Sequence, residues 1–359
     1  MMMKSTPEDA YFAASNSAKG FCSYYTQCFD DARIGHLYAI KGGPGTGKSR
    51  FMREVAEAGI GAGWRCEFIY CSSDPDSLDG VILSKESSAI ALLDATAPHV
   101  YEPSRPGARE DIVNLGIFWD RERLGEQVFE IGQLQAQKSA AYRRAHRYLA
   151  AFGEMREARD ALLSPYIRRD AIHAFATRLM GERTGERFSE RIALMRSVGM
   201  NGAVALDTYF RQAEQIYLIK DCRGSARYLT AALYALARER GCSVRVSYDP
   251  IMTDRIDAID FFDGRVVFAI AREEECAYPG SVLDMRRFVD TASMREVRSE
   301  ANFTGRMERA MLEGAIAALK CVKDAHFALE SIYSATMNFE AKERFTKIFC
   351  RELFDLQNR

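Results

Sequence analysis

The sequence predicts an α/β protein made of two similar parallel-sheet units in tandem, each followed by a helical extension. Three observations predict it: an apolar strand that runs through a glycine-rich loop into a helix, a second half that repeats blocks of the first, and long amphipathic stripes closing each half. The 359 residues accommodate two domains of ordinary size, and 47% hydrophobic with 28% charged is a globular rather than a disordered balance.

The first strand is Leu37-Tyr-Ala-Ile-Lys41, and it enters Gly42-Gly-Pro-Gly-Thr-Gly-Lys-Ser49. Phe51, Met52, Val55 and Ala56 then fall on one helical face before Gly59, Gly61 and Gly63 end the helix. Strand, G-x-x-x-x-G-K-S and helix together describe a phosphate-binding loop. Its glycines let main chain curl closely around an anion, and its amides, with the positive end of the following helix, supply the attraction. Gly42, Gly43, Pro44, Gly45, Thr46, Gly47, Lys48 and Ser49 are therefore expected to bind a nucleoside triphosphate, ATP with Mg²⁺. Lys48 reaches the β and γ phosphates in this reading, and Ser49 ligates Mg²⁺.

A partner carboxylate is expected at the end of a second buried strand. Ala89-Ile-Ala-Leu-Leu93 is such a run, and Asp94 follows it, placed to help hold Mg²⁺. A third strand, Cys66 to Cys71, lies between them in the chain, and its exit carries Asp74, Asp76 and Asp79. These could orient water, hold metal or meet a second substrate, or simply form a solvated turn. Thr96 and His99 follow Asp94 closely enough to approach a γ-phosphate, although a lone His beside a Pro turn is more often a structural group.

The second half echoes the first. Ile216-Tyr-Leu-Ile-Lys220 repeats Leu37 to Lys41 at an offset of 179, while Gly241 to Tyr248 matches Gly63 to Tyr70 and Asp254-Arg-Ile-Asp257 matches Asp76 to Asp79 at 178. Gly264 to Ile270 supplies the strand corresponding to the one before Asp94, and Ala325-His326-x-x-Leu329 echoes Ala145-His146-x-x-Leu149. The chemistry is not repeated. The counterpart of the glycine loop is Asp221-Cys-Arg-Gly-Ser-Ala-Arg-Tyr228, where Asp221 sets a negative charge near the phosphate position, and Ala271 stands where Asp94 is expected. The second repeat is thus expected to keep the fold without normal nucleotide binding, leaving Arg223 or Arg227 as possible anion contacts. The domains fall at 1–183, with its helical extension over about 117–183, and 184–359, with its extension over about 300–359.

In the first extension Val128, Ile131, Leu134, Ala141, Ala145, Tyr148, Phe152 and Met155 recur at helical spacing, and in the second Leu312, Ile316, Leu319, Val322, Leu329 and Ile332 do so. Such stripes are core or pairing seams. His326, Glu330, Tyr333 and Met337 line up along one face, so His326 and Glu330 can pair. Arg143, Arg144, Arg147, Arg168 and Arg169 read as a solvated face, with a phosphate-closing lid as the alternative.

Lys and Arg number 49 against 50 for Asp and Glu, so no global field draws the chain to nucleic acid or anionic lipid. No apolar run approaches the roughly 20 residues of a membrane span, and Lys4, Glu8 and Asp9 occupy the place of a signal-peptide core, which predicts a cytoplasmic protein. Nine cysteines without a C-x-x-C pair fit small buried hydrophobes in a reducing compartment.

The block Phe12-Ala-Ala-Ser-Asn-x-Ala-Lys-Gly20, the loop Lys41 to Ser49, Cys71-Ser-Ser-Asp-x-Asp-Ser-Leu-Asp-Gly80, and Asp94-x-Thr-Ala-Pro-His99 through Asn114-Leu-Gly116 together resemble a bacterial family of duplicated P-loop ATPases, described as related to CMP and AMP kinases. The resemblance spans essentially the whole chain and implies a tandem P-loop NTPase fold with little indication of substrate. Family members look intact in both loops, so Asp221 to Tyr228 is a departure.

The leading functional expectation is Mg²⁺-dependent ATP hydrolysis at the first repeat only, with Lys48, Asp94, Asp79 and Asp74 as catalytic candidates and Ser49 and Asp94 as Mg²⁺ ligands. Ala95 stands where many ATPases carry a catalytic Glu. Phosphoryl transfer to a small acceptor such as a nucleotide is the runner-up, and a nucleotide-dependent switch or scaffold that docks a protein partner is the third reading.

Overall fold

A computed structural model describes residues 2–4, 9–29, 34–98, 101–262, 265–272, 275 and 278–356. It contains two six-stranded sheets flanked by helices. The first comprises β1 (Asp9–Phe12), β2 (Ile34–Lys41), β3 (Arg65–Tyr70), β4 (Leu78–Lys85), β5 (Ser88–Asp94) and β6 (Glu110–Asn114), in the order β1-β3-β4-β5-β2-β6. The second comprises β7 (Ser189–Ile192), β8 (Gln215–Lys220), β9 (Ser243–Tyr248), β10 (Ile256–Phe261), β11 (Val266–Ile270) and β12 (Ser281–Asp284), in the corresponding order β7-β9-β10-β11-β8-β12. Even a register shift recurs, at Ile69/Tyr70 in one sheet and Ser247/Tyr248 in the other.

The sheets are mixed, not wholly parallel as the sequence predicts. β4 and β10 run antiparallel to both neighbours, and the other pairings are parallel. The cause is connection length. β4 is joined to β3 by the turn 71–77 and to β5 by Glu86-Ser87, with Glu86 in the left-handed region at φ 54°, and such links allow hairpins but no parallel crossover. Asp79 accordingly belongs to a strand and not to a turn. Register also corrects one residue match: Ile40 pairs with Asp94 and Ile219 with Ile270, so Ile270, not Ala271, occupies the position of Asp94.

Among the described residues the six longer helices complete the frame: α1 (Lys48–Gly61), α2 (Val128–Leu163), α3 (Arg169–Met180), α4 (Ala226–Glu239), α5 (Arg298–Ala335) and α6 (Phe339–Leu356). α1 covers the first sheet and α4 the second. α2 and α5 lie antiparallel along each other, since Lys138 meets His326, Tyr148 meets Gly314 and Arg156 meets Glu308. Ala141 and Ala145 on one helix and Ala315 and Ala318 on the other keep this seam narrow, with Leu319 and Val322 filling it. Val128 and Leu134, which the periodicity also places on the stripe, are not in this buried cluster, and Val128 is exposed.

The helical extensions cross over. α3 packs on the second unit, where Ile172, Ala176 and Met180 share a core with Leu229, Leu233 and Leu236 of α4. α6 packs on the first, where Phe345 and Phe349 lie 6.1 and 5.3 Å from the Phe51 ring and Phe354 lies 6.0 Å from Trp64. Two single-residue bridges mark the exchange, Trp119 with Met337 and Ile167 with Val289. Each of their second members stands 170 positions after a first member of the other, so the helical parts correspond at 170, not 180. Ala145-His146 and Ala325-His326 therefore do not occupy matching places. The two units also join where Phe12 and Leu194 exchange N–H···O bonds of 2.8 and 3.0 Å. Among the described residues no helix is long and apolar enough to cross a membrane.

Candidate functional site

At the carboxyl ends of β2, β3 and β5 lies a cleft of about 490 Å³, the place where open α/β sheets gather ligands. Gly42 to Ser49 forms its floor. α1 begins at Lys48, so the loop's amides and the unpaired N–H groups of the first helical turn share one region. Gly45 and Gly47 adopt φ of 70° and 76°, which glycine tolerates and other residues resist.

A Cβ on Gly45 would come within 2.5 Å of the Glu330 carbonyl oxygen and 2.6 Å of Ser334 Oγ, both on α5. Ser334 Oγ also donates to the Gly45 carbonyl at 3.2 Å. Gly45→Ala is thus expected to lower unfolding free energy by about 1–3 kcal/mol through backbone strain and crowding, with the urea midpoint as the measurement.

Lys48 Nζ curls over the loop, donating to the carbonyls of Gly42 and Gly43 at 2.9 Å each, and stands 3.5 Å from Asp94 Oδ2. Asp94 Oδ1 accepts from the backbone N–H of Thr96 at 2.9 Å and from its hydroxyl. Burial holds the Asp94 carboxyl above its usual range, opposed by Lys48 and reinforced by Asp79. Ser49 Oγ accepts from the Leu78 N–H at 3.0 Å, which brings the loop beside Asp79. Asp79 is 4% exposed and lines the cleft. Asp74 also lines it while closing its own turn through Ser77 Oγ at 2.8 Å. Asp76 is exposed and outside the cleft, and His99 lies outside the described residues.

The opposite wall comes from the long helices. Lys138 and Tyr142 of α2 and His326 and Glu330 of α5 face the loop. Lys138 Nζ donates to His326 Nδ1 at 3.2 Å, and His326 Nε2 lies 3.6 Å from Glu330. Burial, with Lys138 and Lys48 nearby, depresses the His326 pKa to about 4, so the ring is neutral at pH 7. Burial also pushes the Lys138 ammonium down. The Glu330 carboxyl is raised by burial and by Asp74, against a hydrogen bond from the Gly45 amide. Because an unfolded His takes its proton near 6.5, His326 is expected to withdraw stability as pH falls from about 6.5 towards 4 and to contribute no pH dependence above it. Thermal midpoints of wild type and His326→Gln between pH 7.5 and 4.5 test this; the variant's loss on acidification should be the smaller.

The sequence marked His326 and Glu330 as a helical pair but gave no sign that they reach the first loop. Lys138, Tyr142, Asn114 and Trp119 also line the cleft, and no local motif marks them for it. Arg143, Arg144 and Arg147 are exposed and line none of it, while Arg169 contacts Tyr228 Oη at 3.2 Å in the second unit.

In the second loop a carboxylate of the loop itself meets the backbone amides. Asp221 accepts from the amides of Gly224 and Ala226 at 2.9 and 2.8 Å, filling the donors a phosphate would need. Arg227, the second residue of α4 where Lys48 is the first of α1, is held 3.0 Å from Asp160 of α2, and Arg223 reaches toward Asn302 at 3.4 Å.

Two ammonium groups, Lys48 and Lys138, face four carboxylates, Asp74, Asp79, Asp94 and Glu330, across the first cleft. A polyphosphate entering that excess of negative charge would meet repulsion that a divalent cation would relieve. Ser49, Asp79 and Asp94 offer the hard oxygen donors that suit Mg²⁺. Among the described residues no group of three or more His, Cys, Asp or Glu is arranged to hold a metal by itself, so such a cation would depend on phosphate oxygens and water for its remaining ligands. No family model, curated protein or solved structure matches the chain.

Proposed function

We propose that the chain is a tandem P-loop protein that binds ATP with Mg²⁺ in the first cleft and hydrolyses it there, while the second loop binds no nucleotide. The observation that carries this reading is the Gly42–Ser49 loop, with Lys48 folded over its carbonyls 3.5 Å from Asp94. The matching strand orders of the two sheets and the matching register shifts support the duplication.

Binding the triphosphate exchanges Lys48's contacts with Gly42 and Gly43 for phosphate oxygens, and the loop amides hold charge that grows on the γ-phosphoryl group. Ser49, Asp94 and Asp79 would hold the cation, which would neutralise phosphate charge. Asp74 and Glu330 remain to position water. Glu330 has the raised carboxyl that a general base uses, and the neutral His326 ring stands 3.6 Å from it. The long helices supply the wall facing the loop.

Incubation with γ-labelled ATP and a panel of nucleoside monophosphates tests the reaction. Free phosphate that is independent of acceptor and lost with EDTA is the expected result. Label transferred to a monophosphate would replace hydrolysis by a kinase reaction, and tight ATP binding without release would make the site a switch.

A further inference from the structure

A second cleft, of about 580 Å³, opens at the carboxyl ends of β9 and β11 between the far halves of α2 and α5. The Asp221 loop does not line it, so its chemistry rests on side chains. One wall carries Arg156 and Arg159 from α2 and Glu308 and Arg309 from α5. Both Arg156 Nε and Arg159 Nε converge on the single buried carboxylate of Glu308, at 2.8 and 2.9 Å. The second contact is close but misaligned, for Arg159 Nε and Glu308 Oε1 are buried without a hydrogen bond. The Arg159 guanidinium is disfavoured by its burial and by Arg156. Arg309 is exposed and has no carboxylate partner among the described residues.

Three guanidiniums against one carboxylate leave this wall with two positive charges. The facing wall is closer to balance: Arg196 and Arg272 are bound to Asp249, Asp257 and Glu275, of which Asp257 and Glu275 are buried. The cleft as a whole stays positive by one charge. Its floor is apolar, with Val198, Leu312 and Ile316.

We propose that this cleft binds a small phosphomonoester, its dianionic head on Arg156, Arg159 and Arg309 and a compact apolar body on Val198, Leu312 and Ile316. The two positive charges left on the α2–α5 wall match a phosphate dianion better than a carboxylate, guanidinium forks suit phosphate oxygens, and the volume fits a small organic molecule. The first cleft differs in kind, recognising phosphate through backbone amides and one lysine.

Calorimetric titration of the full chain with phenyl phosphate is the test, with phenylacetate as the carboxylate counterpart. Phenyl phosphate is expected to bind wild type and Lys48→Ala equally, at least tenfold more weakly to Arg309→Glu, and at least tenfold more tightly than phenylacetate. Because the second phosphate proton leaves near pH 6, binding should be roughly tenfold weaker at pH 5 than at pH 7.5. No binding to wild type, equal affinity for phenylacetate, or affinity untouched by Arg309→Glu would overturn the proposal. Binding lost in Lys48→Ala would place the phosphate in the first cleft and overturn it too, whatever the fate of ATP there.

Discussion

Lys48→Ala is expected to reduce phosphate release by about 10²–10³-fold while leaving the fold intact. The ammonium group touches two loop carbonyls and Asp94, and Asp94, whose carboxyl burial already raises, can take up a proton when the lysine is removed, so the fold is expected to persist. On the proposed reading, what is lost is the ammonium that faces developing phosphoryl charge. Single-turnover phosphate release by wild type and variant checks the rate, and circular dichroism checks the fold. Lys48→Arg is expected to rescue poorly, because a planar fork cannot reproduce the compact ammonium between the Gly42 and Gly43 carbonyls.

The largest stability effect is expected at Arg196, the bulkiest of the fully buried side chains. Its guanidinium bonds Glu275 at 2.9 Å, bonds Asp257 as well, and donates to the Ile270 carbonyl at 2.9 Å. Removing one partner of a buried ionic group leaves carboxylates without compensation, so Arg196→Ala should lose about 3–5 kcal/mol. Replacing all three side chains by apolar ones should lose much less, since the uncompensated charges go with the arginine. Guanidinium denaturation of both variants measures the difference. A loss below about 1 kcal/mol in Arg196→Ala would mean that water or neighbouring cations compensate the acids.

Much of the first cleft was legible because it is local. The glycine loop, the strand before it and the helix after it occupy one continuous stretch, and Asp94 ends a run apolar enough to be a buried strand. The hidden parts depend on distant pairings. Lys138 and Glu330 share a wall only because α2 and α5 run antiparallel, and each helix carries apolar residues that suit several partners. The crossing of α3 and α6 was equally silent, since Phe345, Phe349 and Phe354 announce a buried face without naming the unit they cover. β4 escaped because its opening, Leu78-Asp79-Gly80, continues an Asp- and Ser-rich turn and its apolar run follows only at Val81. Spacing alone does not place Ile270 opposite Ile219, because a ladder and not a residue count fixes register.

The central claim is that one loop of the pair receives nucleoside triphosphate and the other cannot. Isothermal titration of the intact chain with a non-hydrolysable ATP analogue and Mg²⁺ measures it most directly. One analogue bound per chain, lost in Lys48→Ala and kept in Arg227→Ala, is the predicted result. No uptake, two bound per chain, or uptake indifferent to Lys48 would contradict it.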